Sequence, residues 1–292
     1  MEMISFLVLM FQVVSVIAKD PFKEIGKVSS VKIYPTNIQN TALSTLQTKN
    51  VSTTTTVSLA TLVSPKPRSR YINKYVNITW DEFKDAFTRN RFLVPKRSHY
   101  EDFIEGIELY GNVTCKREAA MFLAQLLHES GGLRYKAEIR CNVNPKNCIA
   151  DYRTPELDVK GKQYYGRGYI QLTWAENYLA ASKSIYGDDR LLKNPEIVSS
   201  DEKLSWDVSF WYWKAKVKVH QGIDRGEFGT STMLINGDIE CKSNPNIAAI
   251  SRFCIYRNIM RSFGLDEKPN PLGCKRRNMY TFENQRIQHR RF

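Results

Sequence analysis

The 292-residue chain contains four histidines. None stands at ligand spacing from a cysteine pair, which makes a zinc site a poor reading and leaves no metal or organic cofactor to expect. Long apolar runs are equally scarce. After Met1–Ala18 (MEMISFLVLMFQVVSVIA) no segment is apolar enough to cross a bilayer. Residues 19–70 lack cysteine and any aromatic cluster, so they can build neither a disulfide-stapled module nor a core of their own. Acidic residues are outnumbered, 30 against 43 Lys and Arg, for a formal net charge of +13. No nucleic-acid recognition motif accompanies that charge, so nucleic acid is not the expected partner.

What is present divides the chain. The apolar run ending at Ala18 reads as a signal peptide, although Glu2 stands where a cationic start is usual. Residues 19–70, closing on VSTTTTVSLATLVSPKPRSR, read as a Ser/Thr-rich linker or propeptide. A globular domain is expected over 71–274, followed by a basic tail, 275–292, able to hold the protein on an anionic wall or matrix. The product is expected to be secreted, with no membrane span once the signal is removed, and monomeric. Sequons at Asn50, Asn77 and Asn112, and six cysteines, suit an oxidising compartment. The spacing of Cys141 and Cys148 suggests a clamp on one loop. Sequence leaves the pairing of Cys115 and Cys254, with each other or not, open.

The segment with most chemistry is KREAAMFLAQLLHESGGLRYKAEIRC, from Lys116 to Cys141. Ala120, Leu123, Ala124 and Leu127 recur at helical spacing, and Gly131 and Gly132 supply the stop. Glu129 then lies at the negative end of the helix macrodipole, near apolar Phe122 and Leu126, where its ionisation is disfavoured. Beyond the glycines, Leu133, Tyr135, Ala137 and Ile139 alternate with Arg134, Lys136, Glu138 and Arg140, predicting an extended strand. On that strand Glu138 would lie between Lys136 and Arg140 and stay ionised. A neutral carboxyl paired with a charged one suits general acid–base chemistry at a glycosidic bond.

Other helices are predicted from Thr79, a capping box with Glu82, through YEDFIEGIELYG to Gly111, from WAENYLAASKSIYG to Gly187, and across DEKLSWDVSFWYWKAKVKVH. Trp206, Phe210, Trp211 and Trp213 in the last are expected in the core rather than on a sugar-stacking surface. The fold class expected is mainly α, two-lobed, with a small irregular β-sheet lining a cleft.

Taken in order, FLAQLLHES, YYGRGYIQLTWAENY (Tyr164 to Tyr178) and INGDIEC (Ile235 to Cys241) resemble the catalytic domain of glycoside hydrolase family 19 chitinases, of the loop-reduced kind. The resemblance implies a lysozyme-like fold and an inverting endochitinase acting on chitin or chitooligosaccharides. It gives Glu129 the general-acid position, Glu138 the base, and Thr173 the hydroxyl that helps hold the attacking water. Sugar-binding positions fall on Gln171, Asn177, Asn236 and Tyr165. Glu240 and Arg252 match a charged pair that orders the cleft near the base, and a Cys241–Cys274 disulfide is implied. Asp151 and Glu156 are the substitutes should Glu138 not serve. Departures from the family pattern occur at Tyr169, where Pro is usual, and at Trp174 to Glu176. A peptidoglycan hydrolase of the endolysin type and a catalytically silent chitin-binding protein are the alternatives.

Overall fold

The computed structural model describes residues 76–242 and 246–274. The expected signal peptide, the 19–70 segment, the sequon at Asn50 and the basic tail lie outside the described residues. Among these residues the helices of ten residues or more are α1 (Trp80–Arg89), α2 (Arg97–Leu109), α3 (Lys116–Glu129), α4 (Ala175–Tyr186), α5 (Glu202–Tyr212), α6 (Phe228–Glu240) and α7 (Ile247–Ser262). The mainly α fold class is therefore as expected. The sheet is smaller than expected: among the described residues pairing consists of isolated bridges, Ala137 with Arg167, Arg167 with Leu172, and Glu227 with Asn270.

The sequence signals for starts and stops operate as chemistry. Thr79 Oγ1 accepts from the Glu82 backbone N–H at 3.2 Å, and Glu82 Oε2 accepts from the Thr79 N–H at 2.7 Å. Two otherwise orphaned donors at the start of α1 are thereby satisfied. At the other end of α3, the Gly132 N–H donates to the Leu127 carbonyl at 2.9 Å while Gly131 and Gly132 adopt φ of 59° and 77°. This Schellman-type closure needs glycine because a Cβ disfavours that backbone.

α3 is the axis of the molecule, buried on every side from Glu118 to His128. α7 packs along it and along α1, while α5 packs against α2 and α4. Burying a helix all round requires apolar residues on every face, and Ala, Met, Phe and Leu supply them here. Trp206, Phe210, Trp211 and Trp213 are all buried, as expected of core. A Cβ on Gly106 would lie 2.0 Å from the Phe210 ring, so glycine lets α2 and α5 meet.

The predicted strand after Gly132 does not form. Leu133 takes a third consecutive left-handed conformation (φ 60°), and Arg134 and Tyr135 donate their N–H groups to the Ser130 carbonyl. The chain is thus still turning where an extended run was expected, and only Ala137 pairs before a short helix, Ile139–Val143, begins. Disulfides join Cys141 to Cys148 and Cys241 to Cys274, while Cys115 and Cys254 are free and do not pair. Among the described residues no helix is long and apolar enough to cross a membrane.

Candidate active site

Glu129 sits on the last turn of α3, its carboxyl against Arg252 of α7, with Oε1 2.5 Å from Nη2. Arg252 is fully buried and is held from two more directions. Its Nε and Nη2 donate to Glu240 at 2.8 and 2.7 Å, and Nη1 donates to Gln125 Oε1 at 2.8 Å. Gln125 in turn donates to the Ser231 and Thr232 hydroxyls at 2.7 and 3.2 Å. Asn236, at a kink in α6 (φ −147°), donates to Glu240 Oε1 at 2.8 Å.

Burial raises the Glu129 carboxyl above its ordinary range; Arg252 opposes the rise and Glu240 adds to it. Neighbouring His128 is buried, which holds its imidazole well below the usual range and therefore neutral. The family resemblance implies that the Glu240–Arg252 pair orders the cleft near the base. The pair abuts Glu129, because α7 runs along α3 and brings Arg252 to the end of that helix. Gln125 is a network member that sequence reasoning missed. Its signal was a lone amide inside an apolar helix, a residue type seldom buried without partners.

Glu138 occupies a different setting. Its N–H donates to the Gly166 carbonyl at 2.8 Å, and its backbone leads into the short helix Ile139–Val143, which its side chain does not cap. Oε1 accepts from Arg140 Nε at 3.3 Å, and Arg140 Nη2 also donates to Asp151 at 2.7 Å. Oε2 is buried with no hydrogen-bond partner. The expectation of a carboxyl kept low by two cations is corrected. Burial raises it, and the Tyr152 hydroxyl and Arg140 offset that rise only in part. Lys136 does not contribute, since its ammonium is 3.0 Å from Glu202 Oε2 on α5. Of the two substitutes, Asp151 is tied to Arg140 and Glu156 is exposed. Glu138 lies close to the sulfurs of Cys141 and Cys148, but these are bonded to each other and are not available as metal ligands.

The YYGRG loop lies beside Glu138 through the Ala137–Arg167 bridge. Thr173 Oγ1 donates to the Gln171 carbonyl at 2.8 Å, which commits its proton and leaves its lone pairs to accept from a guest. Gln171 (φ 55°) donates to the Gly168 carbonyl at 3.0 Å, and Asn177 donates to the Thr173 carbonyl at 2.9 Å. Tyr165 is buried against the Cys141–Cys148 disulfide and Tyr152, with the Arg167 guanidinium 3.6 Å from its ring centroid. Its ring is thus part of the wall, not an open stacking face. The predicted residues therefore fall into two groups. Asn236, Glu240 and Arg252 surround Glu129, while the Thr173 loop adjoins Glu138.

Comparison with known proteins agrees with this architecture. The family described as Chitinase class I matches residues 82–225. An endochitinase of Arabidopsis thaliana is 35% identical over 191 residues, covering 65% of this chain and 60% of the relative. Endochitinase B of Zea mays is 34% identical over 190 residues, 65% of this chain and 63% of the relative. The chain thus spans less than two thirds of the length of these curated relatives. Among solved structures, chitinase C from Streptomyces griseus superposes with a TM-score of 0.53 at 28% identity, over 66% of this chain and 79% of that one. A bacterial family 19 chitinase does so with a TM-score of 0.51 at 30% identity, over 66% of this chain and 97% of that one. With its helical, lysozyme-like fold and its HES, YYGRG and INGDIEC segments in their order, the chain belongs to glycoside hydrolase family 19.

Proposed function

We propose that the protein is a secreted endochitinase that hydrolyses β-1,4-linked N-acetylglucosamine polymers with inversion at the anomeric carbon. Residues 71–274 are the catalytic domain, preceded by a signal peptide and a linker and followed by a basic tail that favours anionic surfaces. The working unit is the monomer, and the substrate is chitin or a chitooligosaccharide. Asn77 and Asn112, both exposed, are open to glycosylation in a secretory route.

The observation that carries the reading is the division of Arg252 between two carboxyls. Glu240 takes two of its donors, so the cation is already matched when Glu129 meets it. Burial and the Glu240 charge then favour the protonated form of Glu129, which is the form a general acid needs. Protonated Glu129 donates to the leaving glycosidic oxygen. Glu138, oriented by Arg140 and the Tyr152 hydroxyl, takes a proton from water, and its unpartnered Oε2 is the natural acceptor. Water attacking the anomeric carbon is steadied by Thr173 Oγ1. Gln171, Asn177 and Asn236 bind the sugar chain, and Tyr165 backs the wall behind it.

The test is an NMR time course of anomer release from chitohexaose by wild type, Glu129→Gln and Glu138→Gln. Initial release of the α-anomer, abolished by both substitutions, is the expected result. Binding without cleavage, or cleavage of peptidoglycan glycan in preference to chitin, overturns it.

A further inference from the structure

Glu138 stands on a segment without regular secondary structure, so something other than a helix or sheet must fix it. Backbone bonds tie it to the YYGRG loop: Glu138 N–H to Gly166 carbonyl and Gly168 N–H to Lys136 carbonyl, both 2.8 Å, around the Ala137–Arg167 bridge. These bonds join two irregular segments to each other. They do not by themselves fasten the pair to the helical body.

Tyr178 of α4 holds the loop by donating to the Tyr165 carbonyl at 2.7 Å and accepting from Arg167 at 3.0 Å, and two further side chains, one from each segment, end on a single carboxyl of the helical body. Lys136 Nζ is 3.0 Å from Glu202 Oε2, and the Tyr169 hydroxyl donates to Glu202 Oε1. Glu202 opens α5, where the positive end of the helix dipole favours an anion. Burial alone would raise its carboxyl, but Tyr169 and Lys136 overcome that and hold it below the ordinary range, so it is charged when it makes both contacts. Tyr169 is itself locked: it is almost fully buried, edge-on to Trp206 at 4.8 Å and to His99 at 6.0 Å. His99 Nε2 lies 3.7 Å from Glu202 Oε1, and burial lowers its pKa, so at neutral pH it does not compete as a cation for Glu202.

We infer that Glu202, with Lys136 and Tyr169, is a positioning unit for Glu138, clamping the two irregular segments that carry the base and its loop onto the start of α5. The inference rests on the proposed role of Glu138. It also gives a purpose to Tyr169, the departure from the family's usual Pro: a proline ring would sit in the same loop but could offer no hydroxyl to Glu202. Glu202 touches no reacting atom. It acts by denying Glu138 the freedom to drift, and a displacement near 1 Å is enough to cost about a hundredfold in rate.

The test compares Lys136→Met, Lys136→Arg, Tyr169→Phe and Glu202→Gln in the full chain, with Glu138→Gln alongside, measuring kcat and KM on chitohexaose and thermal unfolding. Lys136→Met, at a half-exposed position, guards against loss of folding in the buried variants. The expected result is a kcat lowered about 10- to 100-fold in Lys136→Met and Tyr169→Phe, with KM changed less than about twofold and activity restored in Lys136→Arg. Wild-type kcat in both Lys136→Met and Tyr169→Phe while Glu138→Gln is inactive overturns the inference and leaves the function standing. A rate loss shared equally by Lys136→Arg, or one that follows the melting temperature with KM rising alongside, also overturns it. Full activity in Glu138→Gln instead removes the function reading on which it rests.

Discussion

Arg252 reaches Glu129 with the same nitrogen, Nη2, that it gives to Glu240, at 2.5 and 2.7 Å. One buried cation therefore serves two carboxyls, and the ionisation of Glu129 depends on both the cation and Glu240. Replacing Glu240 by Gln leaves Arg252 facing Glu129 without a competing anion. Because Glu240 raises the Glu129 carboxyl and Arg252 lowers it, the substitution lowers the pKa of the acid. The alkaline limb of the pH–rate profile is expected to move to lower pH, and turnover at neutral pH to fall at least about tenfold. A profile unchanged in its alkaline limb contradicts the coupling.

Glu129→Gln should abolish turnover and yet stabilise the fold at neutral pH. The native carboxyl is raised, so the folded state prefers the protonated form and is penalised for holding the charge. That penalty is absent below the unfolded pKa, about 4.3, and grows as pH rises through the folded value. An uncharged amide never incurs it. Thermal unfolding is expected to show the variant melting higher than wild type at pH 7, with the gap closing towards pH 4. A gap that widens on acidification would reverse the sign and sink the argument.

Tyr152→Phe tests the other carboxyl. The hydroxyl is the leading influence holding Glu138 down against burial, while the ring packs edge-on to Trp174 with centroids 5.5 Å apart and would remain in Phe. Removing the hydroxyl raises Glu138 further, so the base is ionised over a narrower range. The acid limb of the pH–rate profile is expected to shift to higher pH with little change in melting temperature.

The helical frame was legible because its causes are local. Periodicity in 116–129, the Gly131–Gly132 stop and the Thr79–Glu82 box each act within a turn or two of chain. Partner choice was not legible in the same way. Lys136 stands two residues from Glu138, yet its ammonium goes to Glu202, a residue on another helix, because that carboxylate is charged and within reach once α5 packs. The same holds for Arg252, whose partners Glu129, Gln125 and Glu240 lie on two other helices. The extended reading of 133–140 failed because alternation of polar and apolar residues cannot register three successive left-handed residues, which cancel an extended course before it starts.

Removing the Cys141–Cys148 link by a double Ser substitution is expected to cost about 2–3 kcal/mol, given the short loop it closes. Glu138 immediately precedes the helix that this disulfide secures, so turnover should fall beyond what lost stability explains at a temperature where the variant stays folded. Denaturant unfolding and kcat measured together check this.

Thr79→Ala provides the contrasting case. Losing the cap should cost about 1 kcal/mol by denaturant unfolding and leave kcat unaltered, since α1 contributes no residue to either carboxyl's surroundings. A fall in kcat would mean that α1 communicates with the site.

Arg167 pairs with Ala137 on one side and with Leu172 on the other. The residues that follow those partners are Glu138 and Thr173, so the proposed base and the proposed water-holding hydroxyl are spaced by peptide geometry counted outward from a single residue. Side chains along this ladder can be exchanged without altering the count. An insertion or deletion of one residue on either side would slip the register and turn the functional side chain to the opposite face. The site should accordingly tolerate no change in the length of 133–137 or of 169–172.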